Sequence, residues 1–147
     1  MNSKFDDFEL VEHTADIGLK IYGKDKRELF INAARGMFFL ITGSVVSSVR
    51  DKPKKYFTVE SSASNIEDLI ISWLNDILYI YDTEFVIFDE YTINSMSEKK
   101  IRARIRAIKI EDSPYQIIKE LKAVTYHNLH VYQNKDGRWE ANIVFDI

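Results

Sequence analysis

Cysteine is absent, and only five glycines, two prolines and three histidines punctuate the 147 residues. Without thiols the chain has no disulfide framework, no thiolate zinc or iron–sulfur site and no cysteine nucleophile, so any metal it binds is held by oxygen or imidazole. Gly18, Gly23, Gly36, Gly43 and Gly137 match neither Walker A nor dinucleotide-binding spacing, which removes phosphate-cradling loops. No apolar stretch approaches the length of a membrane span. Residues 1–20 also lack the basic start, apolar core and small-residue cleavage site of a signal peptide, so the expected compartment is the cytoplasm. A net charge of −3 gives no global attraction to a polyanion.

A composition of 46% hydrophobic and 29% charged residues is that of a globular chain, and the length suits a single domain over 1–147. Phe8 to Val11 reads as a short strand. Ile17, Leu19 and Ile21 alternate with polar neighbours as a half-buried strand, with Asp16 at the junction between the two. Asp25 and Glu28 form a capping box before a helical stripe of Leu29, Phe30, Ala33, Ala34, Met37, Phe38 and Ile41 that ends at Gly43. Asn32 and Arg35 lie off that stripe and are expected to face solvent. The basic segment 44–55 reads as a loop or irregular strand, and Tyr56 to Ser61 as a strand. Ser64 or Asn65 caps a second helix whose apolar stripe runs from Leu69 to Tyr81.

Phe85 to Met96 and Lys99 to Ile110 form an expected hairpin, and Ser113-Pro114 a short helix start. Lys122 to Tyr132 and Arg138 to Phe145 are strands joined through Asp136-Gly137. The order predicts an α+β fold, a largely antiparallel sheet with two long amphipathic helices packed on one face.

Three groups of residues carry candidate chemistry. Asp16 and Asp146 sit near opposite ends of the chain, and with the terminal oxygens of Ile147 they make an oxygen-rich cation site if their strands are neighbours. Read otherwise, they are unrelated surface aspartates at a frayed end. His13 lies three residues before Asp16 and is expected to orient that turn. His127 and His130 fall on opposite faces of the penultimate strand without zinc spacing. His127 is read as a half-buried structural histidine, with a general base of a metal-dependent hydrolase as the alternative. Lys100, Arg102, Arg104 and Arg106 alternate with Ile101, Ala103, Ile105 and Ala107, so all four cations project from one sheet face. That face is either a solvated surface or, in an RNA-binding adaptor, a site for phosphates. Lys122 is a lone cation at a strand start, available to a phosphate or an acidic partner.

The run Val11-Glu12-His13-Thr14-Ala15-Asp16-Ile17-Gly18, the Leu29 to Met37 helix, Lys122-Ala123 with Thr125-Tyr126-His127, and Trp139 through Phe145-Asp146-Ile147 together strongly resemble the archease family, essentially from end to end. The resemblance implies a small cytosolic helper of an RtcB-type tRNA-splicing RNA ligase. Such a helper is not itself an enzyme. It promotes the guanylylation of the ligase, supports multiple turnover and broadens nucleotide use, and it meets tRNA indirectly, through the ligase. It also implies a divalent cation, usually calcium, at Asp16, Asp146 and Ile147, and an activating role for Lys122. Magnesium and manganese accept the same oxygen donors. Segment 44–55 carries no motif that the resemblance explains.

Overall fold

The computed structural model describes residues 7–12 and 16–147. Seven strands and two helices follow in the order β1 (Phe8–Glu12), β2 (Asp16–Gly23), α1 (Lys26–Thr42), β3 (Lys55–Ser62), α2 (Ile66–Glu84), β4 (Val86–Met96), β5 (Lys100–Lys109), β6 (Ala123–Gln133) and β7 (Trp139–Asp146). The expected antiparallel strands and the two long helices are all present. They divide into two sheets, a four-stranded one in the order β1-β2-β7-β6 and a three-stranded one in the order β3-β5-β4. Helix α1 packs chiefly on β2 and reaches β4. Helix α2 packs on both β6 and β3, so each helix touches both sheets.

Local chemistry sets the helix ends. The Asp25 carboxylate accepts the Glu28 N–H at 2.8 Å, and Glu28 reaches back to the Lys24 N–H at 2.9 Å, satisfying two donors that the first turn leaves open. Gly43, at φ 76°, closes the helix with its N–H on Phe39 O, a conformation that costs glycine little. Asn65 is the cap of α2, accepting the Asp68 N–H. In the core, the Trp73 indole N–H of α2 donates to Phe30 O of α1 at 2.9 Å, so the largest buried side chain leaves no polar atom unpaired.

Contact with both sheets widens the buried arc of α1 beyond one stripe, and here Asn32 departs from expectation. It is 3% exposed, and its amide donates to Tyr22 O at 2.7 Å, which is what allows a polar side chain at that depth. Arg35 is exposed as expected. The short helix expected after Ser113 is also absent. A single 3-10 turn, Ile110–Asp112, precedes it, and Pro114 restricts Ser113 to extended backbone. Beyond Pro114 the chain takes tertiary partners instead, with the Ile118 N–H donating to Ile41 O.

Segment 44–54 has no regular structure; the Ser47 N–H donates to the Tyr115 hydroxyl at 2.9 Å, and the stretch that follows gathers around one buried carboxylate. Asp89 sits at a register shift between Phe88 and Glu90 in β4, and its side chain is fully buried beneath Arg106 and the segment it holds. Arg106 Nε donates to Asp89 Oδ1 at 2.9 Å, while the Lys54 ammonium at 3.2 Å and the Val49 N–H at 3.3 Å share Oδ2. Burial alone would raise the Asp89 pKa, but the Arg106, Val49 and Lys54 bonds outweigh it and hold the carboxyl below the ordinary aspartate range.

A carboxyl whose pKa is depressed on folding contributes fully above its unfolded pKa, and the contribution fades as pH falls through the folded value. Asp89→Ala is therefore expected to lower stability by about 2 kcal/mol at pH 7. The deficit should shrink below about pH 4. Urea denaturation at both pH values checks this; an equal deficit at each would contradict it.

Candidate functional site

Strands β2 and β7 lie side by side in the middle of the four-stranded sheet. Their inward residues, Ile17, Leu19 and Ile21 on one and Ala141, Ile143 and Phe145 on the other, are all buried, so the pleat sends the alternate set to the outer face. The register places Asp16 directly opposite Asp146. Directly opposed residues of an antiparallel pair share a face, which brings the two carboxylates together at one end of the sheet. Asp16 is half-buried and Asp146 exposed.

Asp16 Oδ1 is shielded from solvent and has no hydrogen-bond partner among the described residues. A buried acceptor without a donor is costly, and a second carboxylate facing it adds repulsion. A cation relieves both. The opposite flank of Asp146 is β6, where Ala123 is its register partner and the Lys122 N–H donates to Asp146 O at 2.9 Å. Ile147, 39% exposed, follows immediately, so its main-chain oxygens adjoin the same strand end. The structure thus brings Asp16, Asp146, Ile147 and Lys122 to one edge. Lys122 itself is exposed and makes no ion pair with either carboxylate. His13 lies outside the described residues.

No three His, Cys, Asp or Glu side chains cluster tightly enough among the described residues to hold a metal by themselves. A cation here would draw on the two carboxylates, main-chain oxygen and water. That donor set fits a hard ion such as calcium, magnesium or manganese and does not fit zinc, which favours nitrogen and sulfur.

The two remaining histidines are not brought to this site as a catalytic pair. Thr125 opposes Val144 and His130 opposes Asn142, so five steps along β6 span two along β7, and residues 126–129 bulge from the ladder. Asn128 takes φ 52° within it. Both His127 and His130 are exposed, which corrects the half-buried reading of His127. The bulge lifts the segment off the sheet, and simple alternation cannot foresee it.

The Lys100 to Arg106 stripe does lie on one face, with Ile101, Ala103, Ile105 and Ala107 fully buried beneath it. Two partners of that stripe had no sequence signal. Asp89 captures Arg106, and Tyr56 lies under Arg104, whose guanidinium carbon is 3.9 Å from the ring centroid. Cross-strand neighbours of this kind become visible only once the register of β3, β4 and β5 is known.

Comparison with known proteins adds an independent line. The profile of the Archease protein family (MTH1598/TM1083) matches residues 8–147. The chain is 32% identical to Protein archease of Methanosarcina barkeri over the full length of both chains. It is 33% identical to Protein archease of Pyrococcus abyssi, covering 95% of this chain and 98% of that one. Among solved structures, the solution structure of Methanobacterium thermoautotrophicum protein 1598 superposes with a TM-score of 0.72 at 27% identity, covering 97% of this chain and all of the other. A Thermotoga maritima crystal structure described as an archease and possible chaperone shares the fold, with a TM-score of 0.62 at 24% identity over 93% of this chain and 94% of that one.

The opposed carboxylates generate a prediction that needs no partner protein. In chelator, Asp16→Asn should leave stability unchanged or raise it by about 0.5 kcal/mol, because it removes like-charge repulsion across the ladder. Thermal melts with EDTA test this. A clear loss of stability would mean that the carboxylate is paired in a way the geometry does not contain.

Proposed function

The chain belongs to the archease family, and on that footing we propose that it is a non-catalytic, cytoplasmic activator of an RtcB-type tRNA-splicing RNA ligase. It promotes guanylylation of the ligase, supports its turnover and widens its nucleotide use, and it meets tRNA through the ligase. The observation that carries this reading is the opposed Asp16–Asp146 pair, with a buried unpartnered oxygen, beside Lys122 at one sheet end.

In this reading Asp16, Asp146 and the main-chain oxygens of Ile147 hold a divalent cation, calcium first. When bound, the cation neutralises the opposed carboxylates and offers a hard positive charge to oxygen groups of the partner. Asp16 is the half-buried member of the pair and carries the shielded oxygen. Asp146, more exposed, closes the site from the last strand. The Lys122 main chain is fixed by its bond to Asp146 O, so its exposed ammonium stands at the edge as a point charge for a phosphate or carboxylate of the ligase. His13 would support the turn that leads into Asp16. An accessory of this kind needs no nucleophile of its own, and the residues at this end are suited to binding and neutralising charge.

Two outcomes follow. Calcium at about a hundred times its Kd should stabilise the wild-type chain by about 2.7 kcal/mol. Asp16→Asn and Asp146→Asn should abolish that shift in thermal melts. With a purified ligase, both variants and Lys122→Ala should reduce the stimulated rate of covalent GMP transfer by roughly tenfold or more, the size of effect expected when a charged contact is lost. Full stimulation by all three would overturn the activator site.

A further inference from the structure

Two basic features are left unused by the activator reading, the stripe on β5 and segment 44–55 before β3. Asp89 joins them. Strand β5 is the middle strand of its sheet, and the inward set is buried, so Lys100, Arg102, Arg104 and Arg106 stand on the outer face. Their engagements differ. Arg106 is committed to Asp89 and also lies 3.6 Å from Glu90, and Lys100 is paired with exposed Glu60 at 3.6 Å. Arg102 and Arg104 make no ion pair among the described residues.

Segment 44–54 is pinned beside the Arg106 end of this stripe. Arg106 Nη2 donates to Ser48 Oγ at 3.0 Å, and Val49 and Lys54 both donate to Asp89. Arg50 and Lys52 fall between those anchors, are exposed, and likewise form no ion pair among the described residues. One basic track therefore runs from Lys100 along β5 to the anchored segment, with Arg50, Lys52, Arg102 and Arg104 outside any ion pair among the described residues, although Asp51 separates the first two and Glu60 faces Arg102. Thr58 and Thr92 flank Arg104 across the ladder, and Ser95 and the Lys100-paired Glu60 flank Arg102. The exposed Tyr56 ring lies against the Arg104 guanidinium.

We propose that this face binds single-stranded RNA through its phosphodiester backbone, with the Arg104–Tyr56 pair as a stacking platform for a base. Cations on alternate residues of a strand recur about every 6.8 Å, a regular row suited to an extended polyanion. The hydroxyl groups beside them supply donors to phosphate oxygens. An acidic peptide would use the same charges, but it has no use for a guanidinium laid on an exposed ring, whereas bases stack on both. The rest of the molecule is net acidic, so binding is confined to this track and is sensitive to salt. The inference does not rest on the ligase reading.

The test is fluorescence anisotropy with a labelled, mixed-sequence RNA of about 20 nucleotides, titrated across roughly 25–200 mM NaCl. With about 0.7 per neutralised phosphate on a single strand, four free cations give a log–log salt slope of roughly −3. Arg102→Ala with Arg104→Ala should reduce that slope by about 1.4, and Arg50→Ala with Lys52→Ala by about the same. Tyr56→Leu should weaken binding about fivefold or more with the slope unchanged. Asp16→Asn should bind as the wild type does, which separates this face from the acidic site. No binding at the lowest salt, charge variants that bind normally, or loss on Asp16→Asn would each overturn the proposal. Competition by polyglutamate as effective as by RNA of equal charge would overturn it in favour of an acidic-peptide surface.

Discussion

The pairing of β2 with β7 is the constraint on which the rest depends. It joins Asp16–Gly23 to Trp139–Asp146, segments from opposite ends of the sequence, through an uninterrupted eight-residue register. Closing so long a loop costs entropy, but the cost grows only logarithmically with length, and two interlocking rows of buried aliphatic and aromatic side chains offset it. Strands β1 and β6 then add at either edge, and α1 covers the inner face. A slip of one residue by either strand would turn its buried row outward, exposing Ile17 in β2 or Phe145 in β7 and driving that strand's aspartate toward the core. The hydrophobic alternation that stabilises the sheet therefore also fixes the register of the acidic pair.

Asp89 plays a comparable part in the second sheet by a different means. A buried carboxylate is tolerated only when its oxygens are satisfied, and here a guanidinium, an ammonium and a backbone N–H converge on it. Asp89, placed at the bulge in β4, also takes Arg106 out of the free surface charge. One side chain thus both anchors an irregular segment and engages one of the four β5 cations.

Much of the fold was legible because its signals are local. Asp25 with Glu28, Asn65 and Asp136-Gly137 each act within a few residues, so the sequence carries the helix starts and the last hairpin almost unaltered. What depended on distant neighbours was not legible. The division into two sheets, the burial of Asn32 against Tyr22 O and the extended path after Pro114 all arise from contacts made only once the chain has folded. The bulge at residues 126–129 broke the period on which the reading of His127 relied. For the acidic site, alternation along the strands assigned Asp16 and Asp146 to faces. It could not say that β2 and β7 are neighbours; the family resemblance supplied that expectation, and the register places the two residues opposite each other.

The two candidate surfaces occupy different sheets and carry opposite charge, with the helices touching both sheets. A helix with its side chains is about 10 Å across, more than the Debye length of about 8 Å at physiological salt. Charges on one outer face are therefore weakly felt on the other. Each face is also held by its own device, the β2–β7 register on one side and the Asp89 anchor on the other. The net charge of −3 is a sum over the whole chain and does not report the local field at either place. Composition alone argued against a polyanion partner because it averages over a surface that the fold divides.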